Sequence, residues 1–164
     1  MTAEEFKKVY FSLHPKLYRV AFTILKNAED AEDIIQEAYC KLWDSREKLA
    51  EVKIPEAYCV TLVKHLCMDF LRSPKAARND YNIDDYDIPD NSISTEEEME
   101  NRDTIKKIKY IVEKLPEKQK RILNLRGFAG CSLEDIETIT GESAVNIRVL
   151  LSRARNTVKM KLKR

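Results

Sequence analysis

The side chains best suited to recognising DNA lie near the end of the chain. From Ser143 onward there are seven Lys or Arg and no Asp or Glu. Arg can make two parallel hydrogen bonds to guanine, Asn can do the same to adenine, and Val can contact the methyl group of thymine. We predict that DNA is bound by residues at the start and on the exposed side of a helix that begins here: Ser143, Asn146, Arg148, Val149, Ser152, Arg153 and Arg155. An ordinary surface helix rich in Lys and Arg is the alternative.

The residues before this helix predict the rest of a helix-turn-helix. Ser132 with Asp135 has the spacing of a helix-starting cap, and Gly141 falls where a left-handed residue is needed between two helices. Ser143 would then start the second helix. Apolar residues at helical spacing would anchor that helix to a core: Ile147, Leu151, Ala154 and Val158. A short capped helix, a tight turn and a basic second helix in this order predict a helix-turn-helix.

The sequence contains none of the signatures of common enzyme or metal sites. There is no HExxH pair, no phosphate-binding glycine loop and no recognisable Ser/His/Asp set. The four cysteines form no CxxC pair: Cys40, Cys59, Cys67 and Cys131. We therefore predict a protein that is not an enzyme and that has no catalytic residue, no metal and no cofactor.

Charge divides the chain into zones that predict its domain organisation. Residues 1–78 are almost neutral, whereas residues 79–103 hold one basic residue against ten acidic ones. Residues 104–164 hold fifteen basic residues against six acidic ones. Residues 79–94 lack helical periodicity and are rich in Asp, Asn and Ser, which is typical of a flexible linker. We predict two domains, 1–78 and 95–164, joined by this acidic linker.

Apolar residues recur at helical spacing in both domains, which predicts an all-α fold of two small helical bodies. Pro15 should break the first helix into two pieces. Residues typical of helix starts are Thr2, Asn27, Pro55, Thr95 and Pro116. The apolar runs are much shorter than the roughly 20 residues of a membrane helix, and the first residues lack the apolar run of a secretory signal. We expect a cytoplasmic protein without membrane insertion.

Two stretches of the sequence resemble one known family. The string AEDAEDIIQEAYCKLW, followed later by KHLCMDFLRS, resembles the promoter-melting domain of the extracytoplasmic-function sigma factors. The string LPEKQKRILNLRGFAGCSLEDIETITGESAVNIRVLLSRAR resembles the domain with which these factors bind the upstream promoter element. The resemblance covers residues 1–78 and 95–164. It implies a subunit that directs bacterial RNA polymerase to promoters by recognising the minus-thirty-five element and by recognising and melting the minus-ten element.

The resemblance also implies roles for particular residues. Asp33, Gln36 and Glu37 match the surface that docks on the clamp coiled coil of the largest polymerase subunit. The predicted DNA-facing residues of the helix-turn-helix would read the minus-thirty-five element. The minus-ten element would be bound by residues of a loop at 45–53 and of the helix that follows: Arg46, Lys48, Lys53, Lys64, His65, Asp69 and Arg72.

Several of these residues have other interpretations. Asp69 and Arg72 could form a structural ion pair, since they stand three residues apart on a helix. His65 stands where the family commonly has Asn, which weakens any inference about base preference. Tyr39 and Trp43 could stack on bases, but they lie on an apolar stripe, which favours core packing.

The resemblance implies three kinds of partner. These are core RNA polymerase, promoter DNA in duplex and single-stranded form, and an anti-sigma factor; the free chain is expected to be a monomer. The alternative is a conventional helix-turn-helix regulator that binds pseudo-palindromic half-sites without polymerase.

Overall fold

The computed structural model describes residues 1–72 and 102–163, and every regular element in these two ranges is helical. Contacts between Cα atoms divide the chain into two compact units, Met1–Ser92 and Ile93–Arg164. The predicted fold class, all-α with two helical domains, is confirmed. The linker predicted at 79–94 and the helix start predicted at Thr95 lie outside the described residues, so the domain boundaries remain predictions.

Four α-helices form the described part of the first unit. They are α1 (Ala3–Tyr10), α2 (His14–Leu25), α3 (Ala28–Asp44) and α4 (Pro55–Arg72). Short 3-10 helices span Phe11–Leu13 and Lys48–Glu51. The starts predicted at Thr2, Asn27 and Pro55 are confirmed. Both Thr2 and Asn27 accept a hydrogen bond from a backbone N–H three residues on, which satisfies a donor that a helix start otherwise leaves unpaired.

Pro15 separates α1 from α2, as predicted. It stands in the first turn of α2, where its missing N–H costs nothing. The backbone carbonyl of Tyr10, at the end of α1, accepts a hydrogen bond from the hydroxyl of Tyr39 at 3.0 Å. This bond ties α3 to the break between α1 and α2, so Tyr39 contributes to the fold rather than lying free on the surface.

The core of the first unit lies where α2 packs against both α3 and α4. The apolar stripe of α3 is buried except for Tyr39 and Trp43, which are half-buried, and α4 has buried residues around most of its circumference. Leu71, near the end of α4, is 39% exposed. The largest fully buried side chains of this unit are Tyr10, Leu17, Ile24, Ile34, Ile35, Leu42, Leu62, Leu66 and Met68.

Four further helices form the described part of the second unit. They are α5 (Arg102–Glu113), α6 (Glu117–Gly127), α7 (Leu133–Thr140) and α8 (Ala144–Leu162). The long α8 packs against the other three, most extensively against α6. The core residues of the second unit include Ile122, Leu125, Ile136, Ile147 and Leu151. This packing holds α8 by one side only, and the other side is available for binding.

Candidate nucleic-acid interface

The turn between α7 and α8 has the geometry that the sequence predicts. Ser132 and Asp135 form a complete capping box at the start of α7. Gly141 ends α7 with φ of +76°, a conformation that costs other L-residues energy because of their Cβ atom. Ser143 then caps α8, and its hydroxyl accepts the backbone N–H of Asn146 at 3.1 Å. Residues 132–162 therefore form a helix-turn-helix.

One side of α8 is buried against the rest of the unit. Ile147, Leu151 and Ala154 are buried as predicted, whereas Val158 is half-buried. Leu150 is also buried, at 9% exposure, although the predicted stripe did not include it. Positions three and four residues apart share a helix face, so Leu150 and Leu151 both flank the line that Ile147 begins. The anchoring face is wider than the sequence stripe indicated.

The opposite side of α8 carries most of the predicted base-reading residues. Six of them are exposed: Ser143, Arg148, Val149, Ser152, Arg153 and Arg155. Val145, which sequence reasoning missed, is 69% exposed beside them. The exposed face thus combines guanidinium groups, a hydroxyl and apolar methyl groups, the side-chain types that distinguish base edges in a major groove.

Asn146 differs from these residues because its side chain is already engaged within the protein. It is half-buried, and its side-chain amide nitrogen donates a hydrogen bond to a carboxylate oxygen of Glu142. The other oxygen of Glu142 lies 3.2 Å from the ammonium group of Lys118 in α6. The hydrogen bond from Asn146 and the nearby Lys118 both hold the pKa of Glu142 below its usual value. The carboxylate is therefore ionised at neutral pH.

In the first unit, α3 presents the polar residues predicted to dock on polymerase. Asp33 and Gln36 are exposed and Glu37 is half-buried. They lie off the face formed by the buried residues Ala31, Ile34, Ile35, Ala38 and Leu42. The three side chains therefore lie on the part of α3 that can face a partner.

The predicted minus-ten loop is ordered by contacts with α3. Arg46 is half-buried: its guanidinium carbon lies 4.3 Å from the centre of the Trp43 ring, and its Nη1 donates to the Trp43 carbonyl at 3.0 Å. Trp43 itself packs edge-on against Phe6, with ring centres 5.1 Å apart, so it belongs to the margin of the core. Lys48 and Lys53 are exposed. The loop thus offers two exposed lysines and one arginine held against a tryptophan.

The remaining predicted minus-ten residues lie on α4. Lys64, His65 and Asp69 are half-buried, and Arg72, the last residue of the helix, is exposed. Their spacing places His65, Asp69 and Arg72 on successive turns of one side of the helix. Buried residues such as Leu62 and Leu66 lie on the adjoining face. His65, Asp69 and Arg72 therefore lie along one side of α4, whereas Lys64 lies about 100° around the helix from His65.

Neither a membrane span nor a metal cluster is present in the parts of the chain that the structure describes. None of the helices there combines the length and the apolar character needed to cross a membrane. In the same parts, no three His, Cys, Asp or Glu side chains are grouped in a way that could hold a metal ion. Of the four cysteines, Cys40 is exposed and the other three are buried, and all are free thiols.

An all-helical protein that presents a helix-turn-helix with a basic exposed face belongs to the broad class of DNA-binding regulators. Comparison with known proteins narrows this class. Residues 9–77 match the family model of Sigma-70 region 2, and residues 105–163 match that of Sigma-70, region 4. The two matches fall in separate units of the structure.

Three individual proteins illustrate the similarity. The RNA polymerase sigma factor SigV of Bacillus subtilis (strain 168) is 31% identical over 145 residues, covering 88% of this chain and 83% of SigV. The ECF RNA polymerase sigma factor SigX of the same organism is 21% identical over 136 residues, 80% of this chain and 70% of SigX. A solved structure of RpoE from Bartonella quintana, in complex with the anti-sigma factor NepR, covers 98% of both chains at 23% identity and a TM-score of 0.47.

The chain belongs to the extracytoplasmic-function sigma factors of RNA polymerase. As a member of this family it directs the polymerase to promoters in transcription initiation. The family resemblance found in the sequence is thereby confirmed, and so is the predicted function as a promoter-directing factor. The assignment of individual residues to the two promoter elements and to polymerase is a separate question.

Proposed function

We propose that α8 reads the minus-thirty-five element through its exposed face, with Asn146, Arg148, Val149, Ser152 and Arg153 in the major groove. The observation that carries this proposal is the division of α8 into a buried side and a polar, basic side that begins at a capped N-terminus. The N-terminal residues of a recognition helix reach base edges when the opposite side is anchored. Ser143 and Arg155 lie at the two ends of this face and would contact the DNA backbone or neighbouring bases.

The basic end of α8 would supply affinity without sequence preference. Lys159, Lys161 and Lys163 are exposed, and no acid follows Ser143. Each cation that binds a phosphate releases condensed counterions from the DNA, which favours binding at low salt regardless of sequence. The same helix thus carries a reading part followed by a phosphate-binding part.

The first unit would bind polymerase and the minus-ten element. Exposure of Asp33 and Gln36 on α3, beside Glu37, supports docking on the clamp coiled coil of the largest subunit. The residues proposed to bind minus-ten DNA and the melted strand are Arg46, Lys48, Lys53, Lys64, His65, Asp69 and Arg72. Binding of unstacked bases and single-stranded phosphates would offset the cost of opening the duplex.

Arg46 would act in this unit as part of a pair with Trp43. One of the five N–H groups of its guanidinium is used by the Trp43 carbonyl, which leaves the others for phosphate or base oxygens. Because the guanidinium lies over the ring, a base could stack on its free face without disturbing the core. Trp43 would then hold Arg46 in place and would not itself contact DNA.

The chain would act without catalysing a reaction of its own, as a monomer in the cytoplasm that joins core polymerase. An anti-sigma factor would hold it inactive by covering these same surfaces. RpoE from Bartonella quintana has been crystallised in complex with an anti-sigma factor, NepR. The chain carries a basic DNA-binding face and an acidic polymerase-docking face, so a partner that covers both would block both interactions.

A transcription assay with purified core polymerase tests this function. Templates carrying genomic promoters should give defined transcripts only when the chain is added, whereas the chain alone should bind promoter duplex weakly. Tight binding at symmetric half-sites about 34–36 Å apart without polymerase would instead indicate a conventional regulator. Absence of any defined transcript on a library of genomic templates would contradict the proposal.

A further inference from the structure

Glu142 occupies the turn of the helix-turn-helix, one residue before the cap of α8, and the sequence-based site did not include it. It is the last acidic residue of the chain, and no Asp or Glu follows it. A carboxylate here repels the phosphates that the neighbouring cations attract. We propose that Glu142 is a positioning residue, which orients the side chain of Asn146 for base recognition; this inference rests on the proposed reading of DNA by α8.

The carboxylate is itself held in place from two sides. Lys118 of α6 pairs with one oxygen at 3.2 Å, and Asn146 donates to the other. The backbone N–H of Glu142 donates to the hydroxyl of Thr140 at 3.2 Å, and that hydroxyl donates to the carbonyl of Ile136 at 2.7 Å. The acceptor that Asn146 meets is thus fixed by the turn and by a second helix.

An ionised carboxylate selects one of the two orientations of the asparagine amide. It accepts hydrogen bonds and cannot donate them, so it attracts the NH₂ group and repels the amide oxygen. If the amide of Asn146 were rotated by 180°, its oxygen would face the carboxylate of Glu142 at hydrogen-bonding distance. Glu142 therefore keeps the nitrogen of Asn146 toward the turn and leaves its oxygen free.

The groups left on Asn146 have a definite base partner. One N–H is used by Glu142, so the amide oxygen and the second N–H remain. This adjacent acceptor and donor match the N6 donor and the N7 acceptor of adenine in the major groove. The orientation imposed by Glu142 therefore favours adenine at the position that faces the first turn of α8.

The expected size of the effect follows from the ordering of one side chain. Without Glu142, Asn146 can still bond adenine, but it must first be ordered from a mixture of rotamers and amide orientations. Immobilising a side chain of this kind reduces binding by about two- to tenfold. Only the template with adenine suffers this loss, because a mismatched base does not require the ordered amide. The preference at that one base pair should therefore fall about two- to tenfold.

The test uses the full chain with core polymerase and templates in which each base pair of the upstream element is varied in turn. Glu142→Ala should lower the preference at one position, the same position at which Asn146→Ala lowers it, and leave the other positions unchanged. Glu142→Gln should have an intermediate effect, since a neutral amide can accept the bond but no longer selects one orientation. The double variant should lose no more preference than Asn146→Ala alone.

Glu134→Ala is the control matched for charge, because Glu134 is exposed in the first turn of α7. It should leave every base preference unchanged. Equal losses at all positions for Glu142→Ala, or an unchanged preference where Asn146→Ala reduces it, would overturn the positioning role. If the wild-type chain shows no preference anywhere in the upstream element, the reading function of α8 fails as well, so the two failures are distinguishable.

Discussion

Replacing Gly141 by Ala should selectively destabilise the helix-turn-helix. Gly141 has φ of +76°, and no atom lies within 4 Å of the position that an added Cβ would take. The substitution therefore causes no clash, and its cost is the strain of an L-residue in a left-handed conformation, about 1–2 kcal/mol. The free energy of unfolding of the second unit should fall by that amount.

Gly127→Ala provides a matched control. A Cβ at this position also meets nothing within 4 Å, but Gly127 is the last residue of α6 and has no positive φ. Here the substitution reduces the freedom of the unfolded chain without strain and should stabilise the unit by about 0.4–1 kcal/mol. Two chemically identical changes in one unit should thus have opposite signs.

Urea unfolding with two probes measures these effects. Trp43 is the only tryptophan of the chain and lies in the first unit, so its fluorescence reports that unit, whereas far-ultraviolet circular dichroism reports both. With an m value near 1 kcal/mol/M, a loss of 1–2 kcal/mol lowers the midpoint of the second unit by about 1–2 M. The fluorescence midpoint should not move. If both glycine variants shift the dichroism midpoint equally, or if Trp43 fluorescence shifts with it, the reasoning from backbone strain is wrong.

Three further predictions concern the binding surfaces and pH. Arg148→Ala should reduce the binding preference at one base pair by about 1–3 kcal/mol. Lys161→Ala should instead weaken binding to all sequences and lower the salt slope by about one. Quantitative binding of the polymerase complex at several salt concentrations compares the two variants. Asp33→Lys should weaken binding to core polymerase about tenfold, or ~1.4 kcal/mol. Glu4→Lys, which makes the same charge change at an exposed position of α1, should not. If titration of labelled chain shows equal losses for both variants, docking by α3 is contradicted. The hydrogen bond from Asn146 and then the nearby Lys118 lower the pKa of Glu142. The stabilisation that the ionised carboxylate provides is therefore present above the ordinary glutamate pKa of about 4.3 and is lost as the pH falls through the lowered value. Thermal unfolding should therefore show a smaller loss of stability on acidification for Glu142→Gln than for the wild type, and identical pH profiles would disprove the contribution.

The helix boundaries of this protein are encoded by local sequence. Thr2, Asn27 and Ser132 cap their helices through side-chain oxygens that reach a backbone N–H three residues on. α7 ends at Gly141 in a left-handed conformation, which glycine adopts without the strain that other residues would suffer. Such signals act within one turn of chain, so they can be identified without knowledge of the tertiary structure. The position of the helix-turn-helix, and hence the exposed face of α8, follows from them.

The tertiary structure decided which of the exposed polar groups are already engaged. Arg46 lies against Trp43, and Asn146 is held by a carboxylate that Lys118 of another helix fixes. Leu150 is buried because the helices around α8 cover a wider face than its apolar stripe defines. The sequence alone determined the kind of fold, the family and the face of α8 that can meet DNA. Contacts between distant residues depend on how helices pack, which local periodicity does not specify.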